Sequence, residues 1–372
     1  MKSIIRLCFL IGLSSFCLDV SGQAGITYDL KKPEKYENIQ LASEKPTDKK
    51  IKLTRHFIQN TITHYNYYFN ANNKLNDVIA RAKAQNRDDY DRLLPFYNYS
   101  LDVTSKDKKE LDSVIYKVTA GVLIHDLRND WDDNLFVLMG EAYFFRKDLD
   151  TAYTIFQFIN YAFSPKQSDG YDIPIASNAN HDEGGNAFNV STNENRPAIK
   201  RMLSLPPSRN DALIWQVKTF LAMDQITRAG ILIQTLRHDP QFPARLIPDF
   251  KEVQALWFYK QNMYDSAAVY LQQALGNAVS KLELSRWEYL IAQLYERSGK
   301  SWKAREFYEK VVQQTYDPVM EVYARLNAIR QTHGTEPEYI QKNLEALEKM
   351  AHKDVYAGYR DIIYFTAAEI EL

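Results

Sequence analysis

A recurring spacing of small and aromatic residues constrains the fold of this chain more than any other feature. In residues 131–165, Gly140 stands three positions before Tyr143, Ala152 follows nine positions later, and Phe156 comes four after that. The same offsets recur in residues 286–318, at Ala292, Tyr295, Ala304 and Tyr308. Two antiparallel helices approach closely where both carry small side chains, so the spacing predicts helical hairpins in which Gly140 faces Ala152 and Ala292 faces Ala304.

Two further segments match the same offsets less completely. The matching residues are Phe220 and Ala229 in one segment, and Ala255, Phe258 and Ala267 in the next. Phe220, Phe258 and Tyr295 follow one another at spacings of 38 and 37 residues. These spacings are close to the roughly 34 residues of a tetratricopeptide repeat. Alternating strand patterns are hard to find anywhere. We therefore predict an all-α fold, a superhelix of tetratricopeptide-repeat helical hairpins (an α-solenoid) with one long irregular loop.

The first 22 residues have the pattern of a secretory signal peptide: basic Lys2 and Arg6, then an apolar run from Leu7 to Leu18 that is too short to span a bilayer. Two ways of processing remain open. The leader is cleaved after Gly22, or Cys17 becomes a lipid-attachment cysteine, although bulky Phe16 directly precedes it. Both cysteines of the chain, Cys8 and Cys17, lie in this leader.

The remaining chain divides by composition. Residues 23–50 are polar and are predicted to be a tether. Residues 51–163 form an N-terminal helical region with the first repeat, and residues 164–211, rich in Gly, Pro, Asn and Ser, form a long loop. Residues 212–372 form the main repeat array. Arg360–Leu372 resembles the first helix of a further repeat, so we expect the natural protein to continue, or this helix to dock on another subunit.

The sequence contains few motifs of the kinds that catalyse reactions or bind cofactors. It has no phosphate-binding glycine loop, nucleophile elbow or zinc-protease motif, so we expect no enzyme activity, no catalytic residue, no metal and no cofactor. His56 and His64 could share a helix face, but no carboxylate lies between them at ligand spacing. With 46 Lys+Arg and 47 Asp+Glu, the chain has a formal charge of −1 and no bias toward nucleic acid.

Repeat arrays usually bind partners through the concave surface formed by the first helix of each repeat. Counted from the aromatic positions, the candidate protein-binding groove comprises Val137, Glu141, Phe144, Ile214, Lys218, Glu252, Leu256, Tyr259, Tyr289, Gln293 and Glu296. The set mixes aromatic and polar residues without a dominant charge, which favours a folded protein as partner. The alternative is that several of them, Ile214 and Leu256 above all, pack against a neighbouring helix.

Several motifs lie outside the repeat pattern. They are NTITHYNYYFNAN at Asn60–Asn72, DDYDRLLP at Asp88–Pro95, DEGGNAF at Asp182–Phe188, PPSRNDALIW at Pro206–Trp215 and FYKQNMYDSAAV at Phe258–Val269. Over residues 51–372 the chain resembles the SprE/PorW family of tetratricopeptide-repeat lipoproteins in the type IX secretion and gliding machinery of Bacteroidota. The resemblance implies a periplasmic protein, usually lipid-anchored at the inner face of the outer membrane, and no catalytic residues.

Such a protein would be a scaffold between the motor, the periplasmic ring and the translocon of type IX secretion, with no nucleic acid among its partners and membrane contact only through a lipid anchor. The main alternative is a glycan-capturing outer-membrane lipoprotein of the starch-utilisation type. That class uses aromatic platforms on long loops, whereas the long loop here has Tyr171 and Phe188 but no Trp. A third hypothesis is an outer-membrane lipoprotein that helps to assemble β-barrel proteins.

Overall fold

The structure is a computed structural model, and it describes residues 30–44, 52–126, 128–163, 190–194, 204–331 and 337–371. Within these ranges the chain is all-helical and has no β-strand. The predicted leader with Cys17 lies outside the described residues, as do residues 23–29 and 45–50 of the predicted tether and most of the predicted long loop, including Tyr171, Phe188 and the motif Asp182–Phe188.

The helices are α1 Leu53–Ile62, α2 Asn70–Gln85, α3 Leu101–Thr104, α4 Lys108–Ile124, α5 Asp132–Phe145, α6 Leu149–Ala162, α7 Arg209–Ala222, α8 Ile226–Arg237, α9 Ile247–Lys260, α10 Tyr264–Gln273, α11 Lys281–Arg297, α12 Ser301–Gln314, α13 Pro318–Arg330, α14 Pro337–Ala351 and α15 Arg360–Glu371. A π-helical segment, Thr63–Phe69, joins α1 to α2, and short 3₁₀ turns occupy several connections. From α4 to α15 each helix packs against the next one along the chain.

The same turn closes four helical hairpins in the described chain. One residue between the helices of each hairpin has a positive φ: Lys147 at 64°, Asp224 at 57°, Asn262 at 57° and Gly299 at 75°. After that residue the next backbone N–H returns to the helix, donating to the carbonyl oxygens of Tyr143, Phe220, Phe258 and Tyr295 respectively, at 2.8–3.0 Å. This is the Schellman end of a helix, and its fourfold recurrence makes the hairpins structurally equivalent.

The aromatic positions of the sequence pattern therefore lie at the fixed bonding point of each turn. The alanines come next: the amides of Ala152, Ala229, Ala267 and Ala304 each bond to the carbonyl four residues earlier, in the first turn of the second helix. A side-chain pattern read from sequence thus coincides with a backbone pattern in the structure. The connections are three residues long, so the two helices of a hairpin run antiparallel.

The buried apolar residues of the described ranges form three clusters. One lies among α2, α4, α5 and α6, the largest runs from α7 to α13, and a small one joins α13, α14 and α15. In the third, Leu347 and Ile363 are fully buried, whereas Tyr364 and Phe365 on α15 are exposed.

Two segments were expected to be irregular, and their described residues contact the helices. In the predicted tether, Leu41 is buried and the Ser43 hydroxyl donates to the carbonyl of Leu123 on α4 at 2.7 Å. At the end of the predicted long loop, the amide of Thr192 donates to Asn210 Oδ1 at 2.8 Å, and α7 begins at Arg209, two residues before the predicted loop ends.

Candidate protein-binding groove

A stretch of the chain itself lies in the groove formed by α9, α11 and α13. Residues 86–99, here called the inner segment, connect α2 to α3 without regular helix. Arg286 on α11 holds this segment at two places. Its guanidinium contacts both carboxylate oxygens of Asp88, at 2.6 and 3.0 Å, and donates to the carbonyls of Pro95 at 2.7 Å and Phe96 at 3.2 Å. Both charged side chains are buried.

Gln293, two turns further along α11, bonds the backbone of the inner segment as a neighbouring strand would. Its Oε1 accepts from the amide of Leu94 at 3.0 Å, and its Nε2 donates to the carbonyl of Arg92 at 2.6 Å. From α9, the Tyr259 hydroxyl donates to the carbonyl of Leu94 at 2.9 Å. The backbone of Leu94 is therefore held on both its polar groups, and its side chain is fully buried.

Tyrosine hydroxyls hold the other end of the inner segment. Tyr289 donates to the carbonyl of Tyr90 at 2.9 Å and accepts from Asn327 on α13 at 2.8 Å. The Tyr90 hydroxyl donates to Asp317, the N-cap of α13, at 2.8 Å. Burial is the main cause that raises the pKa of Tyr289 and also the pKa of Tyr90. Both hydroxyls therefore stay protonated and can donate at neutral pH.

A buried charge cluster marks the α7–α9 end of the groove. Glu252 accepts from Tyr97 at 2.8 Å and from Lys218 at 3.0 Å, and its second oxygen accepts from Asn277 at 2.8 Å. Burial alone would raise the pKa of Glu252, but Lys218 and these hydrogen bonds bring it below the ordinary value. Burial alone would lower the pKa of Lys218, but Glu252 raises it, so both groups are charged at neutral pH.

The predicted groove residues consequently differ in their surroundings. Glu252, Tyr259, Tyr289 and Gln293 contact the inner segment and do not line an open channel. Glu296 accepts from Tyr308 at 2.6 Å, on the neighbouring helix of its own hairpin. Ile214, Leu256 and Phe144 are buried, as the packing alternative expects.

An open cavity remains beyond the filled part of the groove, between α2, α5 and α7. Its volume is about 230 Å³, and its lining includes Val137, Glu141, Asp211 and Trp215. Burial raises the pKa of Glu141 to about 8, only partly opposed by Lys218, so this carboxyl is largely protonated at pH 7. Arg245 at the same cavity donates hydrogen bonds to the carboxylate oxygens of Glu194 and Asp211, with N–O distances of 2.5–2.9 Å.

Two of the motifs outside the repeat pattern meet at this cavity, and a third supplies the inner segment. Tyr68 and Asn72 come from the motif at Asn60–Asn72, and Pro206, Asp211 and Trp215 come from the motif at Pro206–Trp215. The motif at Asp88–Pro95 forms most of the inner segment. Sequence reasoning recognised these motifs but did not place them, because nothing local indicates that they converge on the repeat helices.

The predicted repeat-packing residues lie inside the hairpins, with two exceptions. The fully buried ones are Ala152, Phe156, Ala229, Ala255, Ala267, Ala292, Tyr295, Ala304 and Tyr308, and Gly140 and Phe220 are also buried. Tyr143 and Phe258 are only half-buried. At Gly140 the close neighbour is the ring of Phe156, because an added Cβ would lie 2.5 Å from its Cε1. Gly140 therefore lies under an aromatic ring, and its expected facing of Ala152 stays a prediction.

The two histidines considered as metal ligands have separate surroundings. The His56 imidazole lies 3.1 Å from the carbonyl oxygen of Arg128, and His64 stacks on Trp131 with 4.0 Å between ring centroids. In the ranges that the structure describes, no three His, Cys, Asp or Glu residues come together as metal ligands would.

No protein-family model matches this sequence, and it has no match among curated proteins. The resemblance to the SprE/PorW family therefore stays a prediction from the motifs.

Proposed function

We propose that the chain is a non-catalytic tetratricopeptide-repeat scaffold, and that it works as a periplasmic adaptor of type IX secretion, at the inner face of the outer membrane and with a lipid anchor if Cys17 is acylated. The repeat assignment is supported by the four hairpins with one turn geometry. Placement in the secretion machinery rests on the resemblance of residues 51–372 to the SprE/PorW family.

The observation that carries the scaffold proposal is how the helices hold the inner segment. Arg286, Gln293, Tyr259 and Tyr289 bind main-chain carbonyls and one amide of a non-helical stretch. This mode of recognition suits an extended polypeptide in the groove of a repeat array. Since the inner segment occupies the α9–α13 part, we place partner binding at the open cavity with Glu141 and Asp211 and at its rim.

A glycan-capturing function would need an aromatic ring free to stack on a sugar. Trp215 is the tryptophan at the cavity, and its ring is already engaged. It stacks on Phe156 with an interplanar angle of 11°, and the Lys218 ammonium lies 4.9 Å from its centroid. Tyr68, the other aromatic residue at the cavity, contacts Trp131 with 5.0 Å between ring centroids, so the cavity favours a protein partner over a sugar.

A deletion strain of the native host tests the proposal. We expect loss of type IX cargo from the medium, and loss of gliding where the host glides, with growth on polysaccharides unchanged and full rescue by the wild-type gene. A strain that secretes normally but fails to grow on one polysaccharide would favour the glycan-capturing alternative.

A further inference from the structure

The first helix and the segment after it carry large apolar side chains that no described residue covers. They lie along α1 and the π-helical segment after it, and are exposed by 39–87%: Leu53, Phe57, Ile58, Ile62, Tyr65 and Phe69, here called the outer stripe. Residues 53–69 at the helical rise of about 1.5 Å per residue give a stripe roughly 25 Å long. Apolar patches of this kind mark a surface that meets something other than water.

Other side chains of α1 and of the π-helical segment fix it to the body of the protein, and one of them, Asn60, lies two turns after Leu53 and therefore on the same side of the helix, although Leu53 in the first turn is 87% exposed. Asn60 donates to Asp130 at 2.7 Å, and the buried Thr63 hydroxyl bonds to Asn129 and to the carbonyl of Gln59. His64 stacks on Trp131. These contacts set the rotation of the helix about its axis and leave Ile58 and Ile62 on the side away from Asn60.

The charge around the outer stripe is one-sided. None of the 47 acidic residues of the chain falls between Lys49 and Asn76, whereas Lys49, Lys50, Lys52 and Arg55 are basic. Lys52 and Arg55 are exposed at the first turn of α1. Two carboxylates from the loop before α5 approach this helix. Asp126 bonds to Arg128 and is also close enough to Arg55 for the two charges to interact, and Asp130 bonds to Asn60 and lies 3.9 Å from His56 Nε2. A basic amphipathic helix of this composition is typical of a membrane-surface element.

We propose that the outer stripe docks α1 in the plane of an anionic phospholipid bilayer, with Leu53, Phe57 and Ile58 in the acyl boundary and Lys52 and Arg55 at the headgroup phosphates. Tyr65 is of the residue type enriched at the membrane–water interface, and Phe69 adds apolar area of the kind that interfacial helices bury. The helix lies on the membrane and does not cross it. Among the described helices none combines the length and the apolar content needed for crossing. This inference does not depend on the proposed secretion function.

Vesicle co-sedimentation of purified residues 23–372 tests the inference, since this chain contains every described residue and lacks both the apolar leader and Cys17. The probes are phosphatidylcholine vesicles with and without phosphatidylglycerol. We expect binding to the vesicles with phosphatidylglycerol, roughly tenfold weaker after the double substitution Phe57→Ser/Ile58→Ser. Lys52→Gln/Arg55→Gln should remove the preference for phosphatidylglycerol. Ile231→Ser, which changes an apolar residue on α8 that is 65% exposed, is the matched control and should bind as wild type.

Because Phe57 and Ile58 are 61% and 56% exposed, their replacement should leave thermal unfolding unchanged, and this measurement excludes misfolding as the cause of lost binding. Failure of the wild-type chain to bind vesicles would overturn the inference, as would equal binding of the Phe57→Ser/Ile58→Ser variant. Light scattering supplies a third contrary outcome, a dimer that this variant dissociates, which would make a second copy of the chain the occupant of the stripe.

Discussion

The Arg286 guanidinium forms a buried ion pair with Asp88, 198 residues earlier in the chain, through contacts of 2.6 and 3.0 Å. The two side chains are 3% and 9% exposed. The pair joins the inner segment to α11, and because its charges are removed from water, neither residue can lose its partner without leaving a buried charge uncompensated.

We predict that Asp88→Asn lowers the free energy of unfolding by about 3 kcal/mol, the usual scale when one partner of a buried pair is removed. Urea denaturation followed by circular dichroism measures this. The matched control is Asp102→Asn, because Asp102 pairs with Lys147 on the surface and is 76% exposed; we expect a much smaller loss there, because surface ion pairs are screened by water. Equal effects at the two positions would contradict the described packing of the inner segment.

Gly140→Ala should destabilise the protein by about 1–3 kcal/mol, because the new Cβ would fall 2.5 Å from Phe156 Cε1 and the ring would have to shift. The control is Gly276→Ala, where no atom lies within 4 Å of the new Cβ. Thermal unfolding of both variants provides the comparison, and a Gly140→Ala protein as stable as the control would show that Phe156 does not cover this glycine.

The shared turn predicts opposite effects at two equivalent positions. Lys147 has φ 64° and Gly299 has φ 75°, a region that costs a side-chain-bearing residue roughly 1 kcal/mol. Lys147→Gly should therefore stabilise the fold, even though it removes an exposed ion pair with Asp102. Gly299→Ala should destabilise the fold by about 1 kcal/mol, although there is open space for the new methyl group. Chemical denaturation would refute the equivalence if both variants shifted stability in the same direction.

Glu141 predicts a pH dependence of stability. Burial raises its folded pKa from the ordinary 4.5 to about 8, so the folded state binds the proton more tightly than the unfolded state. Its favourable contribution is complete below pH 4.5 and is lost as the pH rises through about 8. Glu141→Gln keeps the shape without the titration. We expect the variant to gain melting temperature relative to wild type as the pH rises from 5 to about 8.5, and a constant difference would contradict the burial of this carboxyl.

The helical hairpins could be predicted from sequence because their determinants are local. A small residue, an aromatic ring three positions on and an alanine nine later all belong to one hairpin, as with Ala292, Tyr295 and Ala304. The turn residue itself gave no clear signal, because only Gly299 among the four positive-φ residues is a glycine.

The inner segment could not be predicted by the same reasoning. Its bonds with Arg286 and Gln293 join residues about 200 positions apart, and the polar atoms that hold it are mostly backbone groups, which leave no pattern in a sequence. Residues 30–44 gave a similar difficulty. Their polar composition indicated a tether, yet Leu41 is buried, Leu30 packs against the apolar cluster of α2 and α4–α6, and Ser43 bonds to α4.

Site-specific photo-cross-linking in the native host tests whether the open end of the groove receives a secretion partner. The photoreactive residue replaces Leu205, which lines the cavity and is 40% exposed, and in a parallel strain it replaces Ile231 on α8, which is 65% exposed. We predict a product specific to Leu205 that mass spectrometry identifies as a protein of the type IX motor, periplasmic ring or translocon. A product with only polysaccharide-uptake proteins, or the same products at both positions, would mean that this cavity is not the binding site of a secretion partner.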